Sequence, residues 1–205
     1  MAGGAWLFAS QVAALVVFQT DVLVVSALLG PLAAGSFQAT ARLFAQVVMV
    51  QGILLAALWP ALATAWAQGD LPWIRAIHRR AAGLTLGILV PLCLAGALLA
   101  GPVVRLWTGD ARLAPGPWLA AGLALGCATA LWAGLHAYCL NATGATRGPA
   151  ILALVQAALN LPATVVAAHL WGGAGVAWAS ALCALCTSVP VLTWQYRRRM
   201  TERQR

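Results

Sequence analysis

Two ionisable residues of opposite sign lie inside apolar stretches of this chain, where charge is rare. If both stretches are helical, Asp21 lies about 13 Å before a turn at Gly30. Arg42 lies about 9 Å after that turn ends at Ser36. A charge in hydrocarbon is costly unless it is paired or wetted. We therefore expect Asp21 and Arg42 to face the interior of a helix bundle, either paired directly or lining one water-filled cavity.

The second of these stretches carries a polar face. Its members recur at intervals of four, four and three residues, which places them on one side of a helix: Gln38, Arg42, Gln46 and Met49. Asn160, one turn after Gln156, forms a weaker polar face in a later stretch. These residues indicate a substrate or coupling cavity. The competing interpretation is a buried ion pair with hydrogen-bonded glutamines that only specifies helix packing.

The elements that position these residues are apolar runs long enough to cross a membrane. The chain is 62% hydrophobic and 8% charged, whereas a typical soluble domain is about 25% charged. Residues 148–196 carry no charge and are broken once, by the glycine-rich segment 171–175. We predict an all-α membrane protein, a six-transmembrane-helix bundle. Its spans cover about residues 5–29, 37–67, 81–104, 117–140, 149–170 and 176–196, and residues 197–205 form a basic cytoplasmic tail.

The distribution of arginine predicts how the bundle is oriented. An even number of spans puts both termini on one side of the membrane, and that side carries most of the arginines. They are Arg75, Arg79, Arg80, Arg147, Arg197, Arg198, Arg199, Arg203 and Arg205, against Arg105 and Arg112 on the other side. We expect both termini in the cytoplasm and the chain in a bacterial cytoplasmic membrane. The net charge of +8 is explained by this bias and indicates no nucleic-acid partner.

The sequence contains no motif typical of an enzyme. It lacks the HExxH, GxSxG and phosphate-binding glycine patterns. Cys183 and Cys186 have the spacing of a metal or redox site, but no second pair and no nearby histidine accompanies them. We interpret both cysteines as packing residues, and we expect no enzymatic activity, no cofactor and no metal.

Several segments resemble a pattern that recurs in one transporter superfamily. Residues 19–43 hold an Asp in a span, a Leu-Gly turn, a Gly-aromatic step and an Ala-Arg-Leu. Similar pieces follow in order: a Pro-to-Gly-Asp helix end at residues 59–70, a Leu-Trp-Thr-Gly turn at 106–109, an Asn-Gly-Arg loop at 140–147 and a Gly-rich turn at 172–179. Over about residues 5–196, the chain resembles the polysaccharide flippases of the MOP superfamily, which also contains MATE drug exporters and lipid II flippases.

The resemblance is to the C-terminal six-helix half of such a protein. It implies half of a flippase that moves a lipid-linked oligosaccharide across the cytoplasmic membrane by alternating access. Arg42 would face the pyrophosphate, with Asp21 as its partner or a coupling group. The implied partners are the glycan substrate, membrane lipids, and a second six-helix half or a second copy. Alternatives are a fragment of a MATE-type drug or lipid II exporter, a degenerate remnant, and a non-transporting membrane partner subunit.

Overall fold

The computed structural model describes residues 2–204 and, within residues 2–18, the side chains of Trp6, Phe8 and Val12. Arg205 of the predicted tail lies outside the described residues. The described chain forms five helical stretches joined by short turns. They are α1 (Ala2–Leu29), α2 (Pro31–Gln68), α3 (Leu71–Thr108), α4 (Pro117–Ala142) and α5 (Arg147–Glu202), with a 3-10 turn (Ala111–Leu113) between α3 and α4.

Four of these helices, α2 to α5, are long and apolar enough to cross a membrane. The described end of α1, Gln19–Leu29, is a shorter apolar helix. Large apolar side chains cover the outside of the molecule, and Leu98 and Leu106 are 84% and 88% exposed. Because a soluble surface rarely exposes so much apolar area, these helices indicate a multi-pass membrane protein. The expected number of six spans is not confirmed, since the described residues form five helical stretches.

The last stretch, α5, folds back on itself at Gly172. This residue has φ 63° and ψ −150°, a backbone conformation that glycine adopts at little cost. Beyond the break, a Cβ atom on Gly175 would clash with the carbonyl oxygen of Ala167. Residues eight apart in a straight helix are separated by about 12 Å, so the chain must reverse here. Residues 147–171 are called the first arm and residues 173–202 the second arm. If each arm and each of the helices α1 to α4 crosses the membrane once, the chain crosses it six times, and that number stays a prediction.

The centre of the bundle is α4, which packs against α2, α3 and both arms of α5, while α1 packs mainly against α5. Apolar side chains form three clusters along the bundle. Near the Gly172 turn the cluster contains Val25, Phe37 and Val176, in the middle Phe44, Cys93 and Leu131, and at the far end Leu62, Ile74 and Leu140. Each cluster joins at least three helical segments, so the bundle is packed along its whole length.

The turn between α2 and α3 is specified by its sequence. Gly69 follows the last residue of α2, and its φ of 77° turns the chain so that the N–H of Asp70 donates to the carbonyl of Ala65 at 2.9 Å. α3 begins at once because Oδ1 of Asp70 accepts the N–H of Trp73 at 3.0 Å and Pro72 occupies the first turn. The two helices are therefore held antiparallel by a short connection.

One turn of α3, Thr85–Leu89, is π-helical, and Pro91 follows it. The N–H of Val90 donates to the carbonyl of Thr85, five residues earlier. Pro91 cannot donate a backbone hydrogen bond and crowds the preceding turn, which a wider turn relieves. Nε2 of Gln51 on α2 donates to Oγ1 of Thr85 at 2.9 Å, and both side chains are buried. The irregular turn of α3 is thereby fixed to α2.

Most of the arginines lie at one end of the bundle. The last helical segment of α5, Ser188–Glu202, is called the tail helix; it begins after a turn at Thr187. Arg75 at the start of α3 donates to the carbonyl of Met200 at 3.2 Å. Arg203 donates to the carbonyl of Trp66 at the end of α2 at 3.3 Å. The tail helix thus lies across the ends of α2 and α3 at this arginine-rich end.

The opposite end of the bundle contains the Gly172 turn and the loop after α3. Leu29 lies next to Gly172 there. Arg112 donates to Asp110 at 2.9 Å, and this exposed hydrogen bond lowers the pKa of the Asp110 carboxyl. Which end faces the cytoplasm stays a prediction from the arginine count.

Candidate functional site: a buried carboxylate and an outward polar face

The side chain of Asp21 is buried between α1 and α5. It is 9% exposed. Its Oδ1 accepts a hydrogen bond from Nδ2 of Asn160 at 2.9 Å, and its Oδ2 accepts one from Oγ of Ser180 at 2.5 Å. The expectation that Asp21 faces the bundle interior agrees with this position. Its two partners are an amide and a hydroxyl, and both are neutral.

The reversal of α5 is what brings these partners together. Asn160 lies on the first arm and Ser180 on the second arm. In one straight helix they would be about 30 Å apart, yet both contact the same carboxylate. One side chain on α1 therefore joins both arms of the hairpin.

No cation neutralises this carboxylate among the residues that the structure describes. Their ion pairs are Arg112–Asp110 and Arg198–Glu202, both on the surface. An uncompensated carboxylate in a low-dielectric interior is unfavourable, and proteins relieve it by protonation or by binding a cation. The Asp21 carboxylate can therefore take up a proton or a cation at this site.

Asn160 is 1% exposed and has an unused hydrogen-bonding atom. Its Nδ2 donates to Asp21, whereas its Oδ1 is buried with no partner. A rotation of the amide by half a turn would present Oδ1 to Asp21, and Oδ1 would then accept a hydrogen bond from the O–H of the neutral carboxyl group. The same pair of residues can thus satisfy either protonation state of Asp21.

Arg42 does not lie beside Asp21, and the expectation that the two share one interior is wrong. The Arg42 side chain is exposed on α2. The buried residues of α2 recur on the opposite face of the helix: Phe37, Thr40, Phe44, Gln51, Leu55 and Leu62. Arg42 is two residues from both Thr40 and Phe44, a rotation of about 200° in either direction. The aromatic residues take the inner face, so the arginine points away from the bundle.

The other residues of the polar face also lie on the outer side of α2. Gln46 is exposed and its Nε2 donates to the carbonyl of Arg42 at 3.4 Å, while Gln38 is half-buried and Met49 is 56% exposed. This outward polar face, defined by Gln38, Arg42, Gln46 and Met49, is separate from the Asp21 site. Of the five residues expected to share a cavity, Asp21 and Asn160 meet in the interior, and the other three lie on the separate outward polar face.

The sequence did not predict two residues that take part in buried hydrogen bonds, the hydroxyl of Ser180 and the amide of Gln51. Ser180 was not predicted as a site residue because it is a small residue in an apolar run. The signal that could have found it is its position shortly after the glycine-rich turn. Gln51 lies outside the four-four-three spacing of the polar face, and it bonds Thr85 instead. Gln156, the neighbour of Asn160, accepts a hydrogen bond from Ser188. These contacts depend on which helices become neighbours.

Comparison with known proteins supports the fold. No family model and no curated protein matches this chain. Among solved structures, it is similar to the crystal structure of the Vibrio cholerae MATE transporter VcmN in the bent form, with a TM-score of 0.79 and 16% sequence identity. The similarity covers 95% of this chain and 44% of that transporter, so the chain spans less than half of its length. The chain has the all-helical fold of part of a MATE transporter.

Proposed function

We propose that this chain is one half of an exporter that moves a lipid-linked oligosaccharide across the cytoplasmic membrane by alternating access. The observation that carries the proposal is the outward polar face of α2 on a fold that resembles part of a transporter. An arginine and glutamines exposed to acyl chains would be costly. A second six-helix half, or a second copy of this chain, placed against this face would enclose them in a wet cavity.

The charge of the outward polar face favours an anionic cargo. Arg42 is its one ionisable residue, and the face carries no acid. A planar guanidinium binds phosphate oxygens with two hydrogen bonds, which suits the pyrophosphate of a lipid-linked glycan. A cationic drug would need a carboxylate at this position. Lipid II also carries a pyrophosphate and is the alternative cargo that the same chemistry fits.

Asp21 is the proposed coupling group. Its carboxylate contacts both arms of α5, so taking up a proton or a cation changes hydrogen bonds on two helical segments at once. A change of state there can shift the packing of α1 against the hairpin. Transport would be coupled to this shift if α1 moves with the outward polar face of its neighbour α2.

A flipping assay tests the proposal. The chain is purified with any associated membrane protein, reconstituted in proteoliposomes, and given a fluorescent lipid-linked oligosaccharide. We expect Arg42→Ala to lose about tenfold or more of the flipping rate, since one charge-assisted contact is worth about 1.5–3 kcal/mol. Arg112→Ala, which removes an exposed arginine outside the outward polar face, should behave as the wild type. Equal flipping by Arg42→Ala would refute the role of this face.

A cross-linking experiment tests whether a second half covers that face. Met49→Cys on α2 should cross-link to a partner or to a second copy in native membranes. The matched control is Leu98→Cys on α3, which is also strongly exposed but lies outside the polar face. Cross-linking of Met49→Cys with no flipping by the wild-type protein would instead identify a non-transporting partner subunit. Equal reactivity at both positions would argue against a covered face.

A further inference from the structure

The arginine-rich end of the bundle contains an open cavity of about 610 Å³ between α3 and the tail helix. It is lined by Pro72, Arg75, His78, Arg79, Tyr196, Arg197, Met200 and Thr201. This volume is in the range of small-molecule sites, which is about 300–1,000 Å³. It lies apart from Asp21 and from the outward polar face, so the proposed transport does not use it.

The walls of this cavity are held in place by buried contacts. Arg75 is fixed by its hydrogen bond to the carbonyl of Met200. The ring of His78 stacks on the ring of Tyr196 with centroids 4.0 Å apart and an angle of 15° between the planes. His136 packs edge-on against both rings. The tail helix is thus locked to α3, and the cavity between them is preformed.

Three arginines line the cavity, and no acid does. Arg79 and Arg197 are exposed at its mouth, and Arg75 is half-buried in its wall. The two acidic residues at this end are engaged elsewhere. Asp70 caps α3 through the N–H of Trp73, and Glu202 pairs with Arg198 at 2.6 Å. The positive charge of the cavity is therefore uncompensated within the described chain.

A second cavity on the other side of the tail helix provides a contrast. It has a volume of about 540 Å³ and is lined by Arg147, Arg198 and Arg199 among others. Glu202 also lines it and neutralises Arg198. The guanidinium of Arg199 is already over the ring of Trp66 and bonded to the carbonyl of Thr143. Its arginines have partners, whereas Arg79 and Arg197 of the first cavity are exposed and make no side-chain hydrogen bond or ion pair within the described chain.

The first cavity also offers a buried polar atom. Nε2 of His78 is shielded from solvent and has no hydrogen-bond partner. Buried polar atoms without a partner are uncommon, and a ligand is one of their explanations. When Nε2 carries the ring proton, it is a buried donor without an acceptor in the described chain. Three cations and this donor suit a phosphate group.

We propose that this cavity binds the phosphate of an anionic phospholipid headgroup. The arginine-rich end is where the apolar, exposed part of α3 begins, at Leu84 and Leu86, so the cavity lies near the depth of lipid phosphates. Basic pockets at the ends of membrane helices bind such headgroups. Arg79 and Arg197 hold the phosphate from the mouth, Arg75 and His78 from the wall, and the acyl chains lie along α3.

The chain offers a matched pair of variants for the test. Arg79→Gln with Arg197→Gln removes two arginines of the cavity. Arg80→Gln with Arg198→Gln removes the adjacent residues on the same helices, which are equally charged, exposed and absent from the lining. Binding of phosphatidylglycerol and of phosphatidylcholine with the same acyl chains is measured by native mass spectrometry of the full chain in detergent. Circular dichroism and gel filtration check the fold.

We expect the wild type and the Arg80/Arg198 variant to prefer phosphatidylglycerol. The Arg79/Arg197 variant should bind it about twenty-five-fold more weakly, because each arginine near an anionic lipid contributes about fivefold. Equal loss of phosphatidylglycerol binding in both variants, or no preference over phosphatidylcholine, would overturn the proposal.

A separate titration uses inorganic phosphate. If it binds in the cavity and phosphatidylglycerol does not, the site takes free phosphate and the lipid assignment fails. If the double variant misfolds, Arg79→Gln against Arg80→Gln makes the same comparison.

Discussion

The hydroxyl of Ser180 donates to the carboxylate of Asp21 at 2.5 Å, although 159 positions separate the two residues in the chain. This contact joins the first helix to the second arm of the last one. The amide of Asn160 makes the equivalent contact from the first arm. A single acidic group thus fixes the relative positions of three helical segments, and none of the residues that the structure describes gives it a positively charged partner.

Asp21→Asn should preserve the fold and abolish coupling. The new amide can donate to Oδ1 of Asn160, which has no partner, and accept from Ser180. The free energy of unfolding should therefore change by less than about 1.5 kcal/mol, the scale of one hydrogen bond. The variant cannot exchange a proton or hold a cation. Flipping measured in proteoliposomes should become insensitive to an imposed proton or sodium gradient.

Asp110→Asn is the control for that experiment. Asp110 is on the surface, pairs with Arg112 and is not part of the Asp21 site. Its neutral variant should respond to the gradients as the wild type does. If Asp21→Asn keeps the same gradient dependence, then another group couples transport.

Gly175→Val should prevent the hairpin of α5 from closing. A side chain at this position meets the carbonyl of Ala167 and the Cβ of Trp171. Overpacking of this kind costs about 1–3 kcal/mol or more, and thermal unfolding in detergent would measure it. Gly83→Val is the matched control, since nothing lies within 4 Å of its Cβ position. A stable Gly175→Val protein would mean that the arms can separate without loss of fold.

The hydrogen bond between Gln51 and Thr85 should show measurable coupling. Thr85→Val leaves Nε2 of Gln51 buried without an acceptor, at a cost of about 1–3 kcal/mol. Gln51→Met should cost about 1 kcal/mol, because the Thr85 hydroxyl keeps its hydrogen bond to the carbonyl of Ala81. The double variant removes both groups and should cost less than the sum by about 1 kcal/mol. A double-mutant cycle of unfolding free energies tests this. Strict additivity would show that the two side chains do not interact in the folded protein.

The arginine count predicts on which side of the membrane the C-terminus lies. Alkaline phosphatase fused after residue 205 should be inactive, because the enzyme folds in the periplasm and the tail is expected in the cytoplasm. The same enzyme inserted between α3 and α4, at the opposite end, should be active. The reverse pattern of activities would invert the orientation of the whole bundle.

The sequence was sufficient to predict an all-helical membrane fold, because hydropathy and helix length are local properties. It also placed the turn at residues 171–175, where the chain does reverse at Gly172. Asp21 could be assigned to the interior because a lone acid in an apolar run has few alternatives. These predictions needed no knowledge of which helices are neighbours.

The position of Arg42 could not be predicted in the same way. Both faces of α2 are mostly apolar, so hydropathy does not say which one packs inward. Polar residues were expected inside, as in a bundle that encloses its own cavity. Phe37 and Phe44 take the inner face instead, since aromatic side chains fill the space against α4. The partner of Asp21 was likewise set by the reversal of α5 and not by the nearest charge.

The π-helical turn of α3 determines where this helix can change its length. It holds one residue more than an α-helical turn. Removing one residue between Thr85 and Leu89 would leave an ordinary turn, with Ile74 and Cys93 still on their present sides. A deletion elsewhere between them would rotate every later residue by about 100° and swing Cys93 toward lipid. Related chains can therefore be expected to differ by a single residue in this segment and to be of constant length on either side of it.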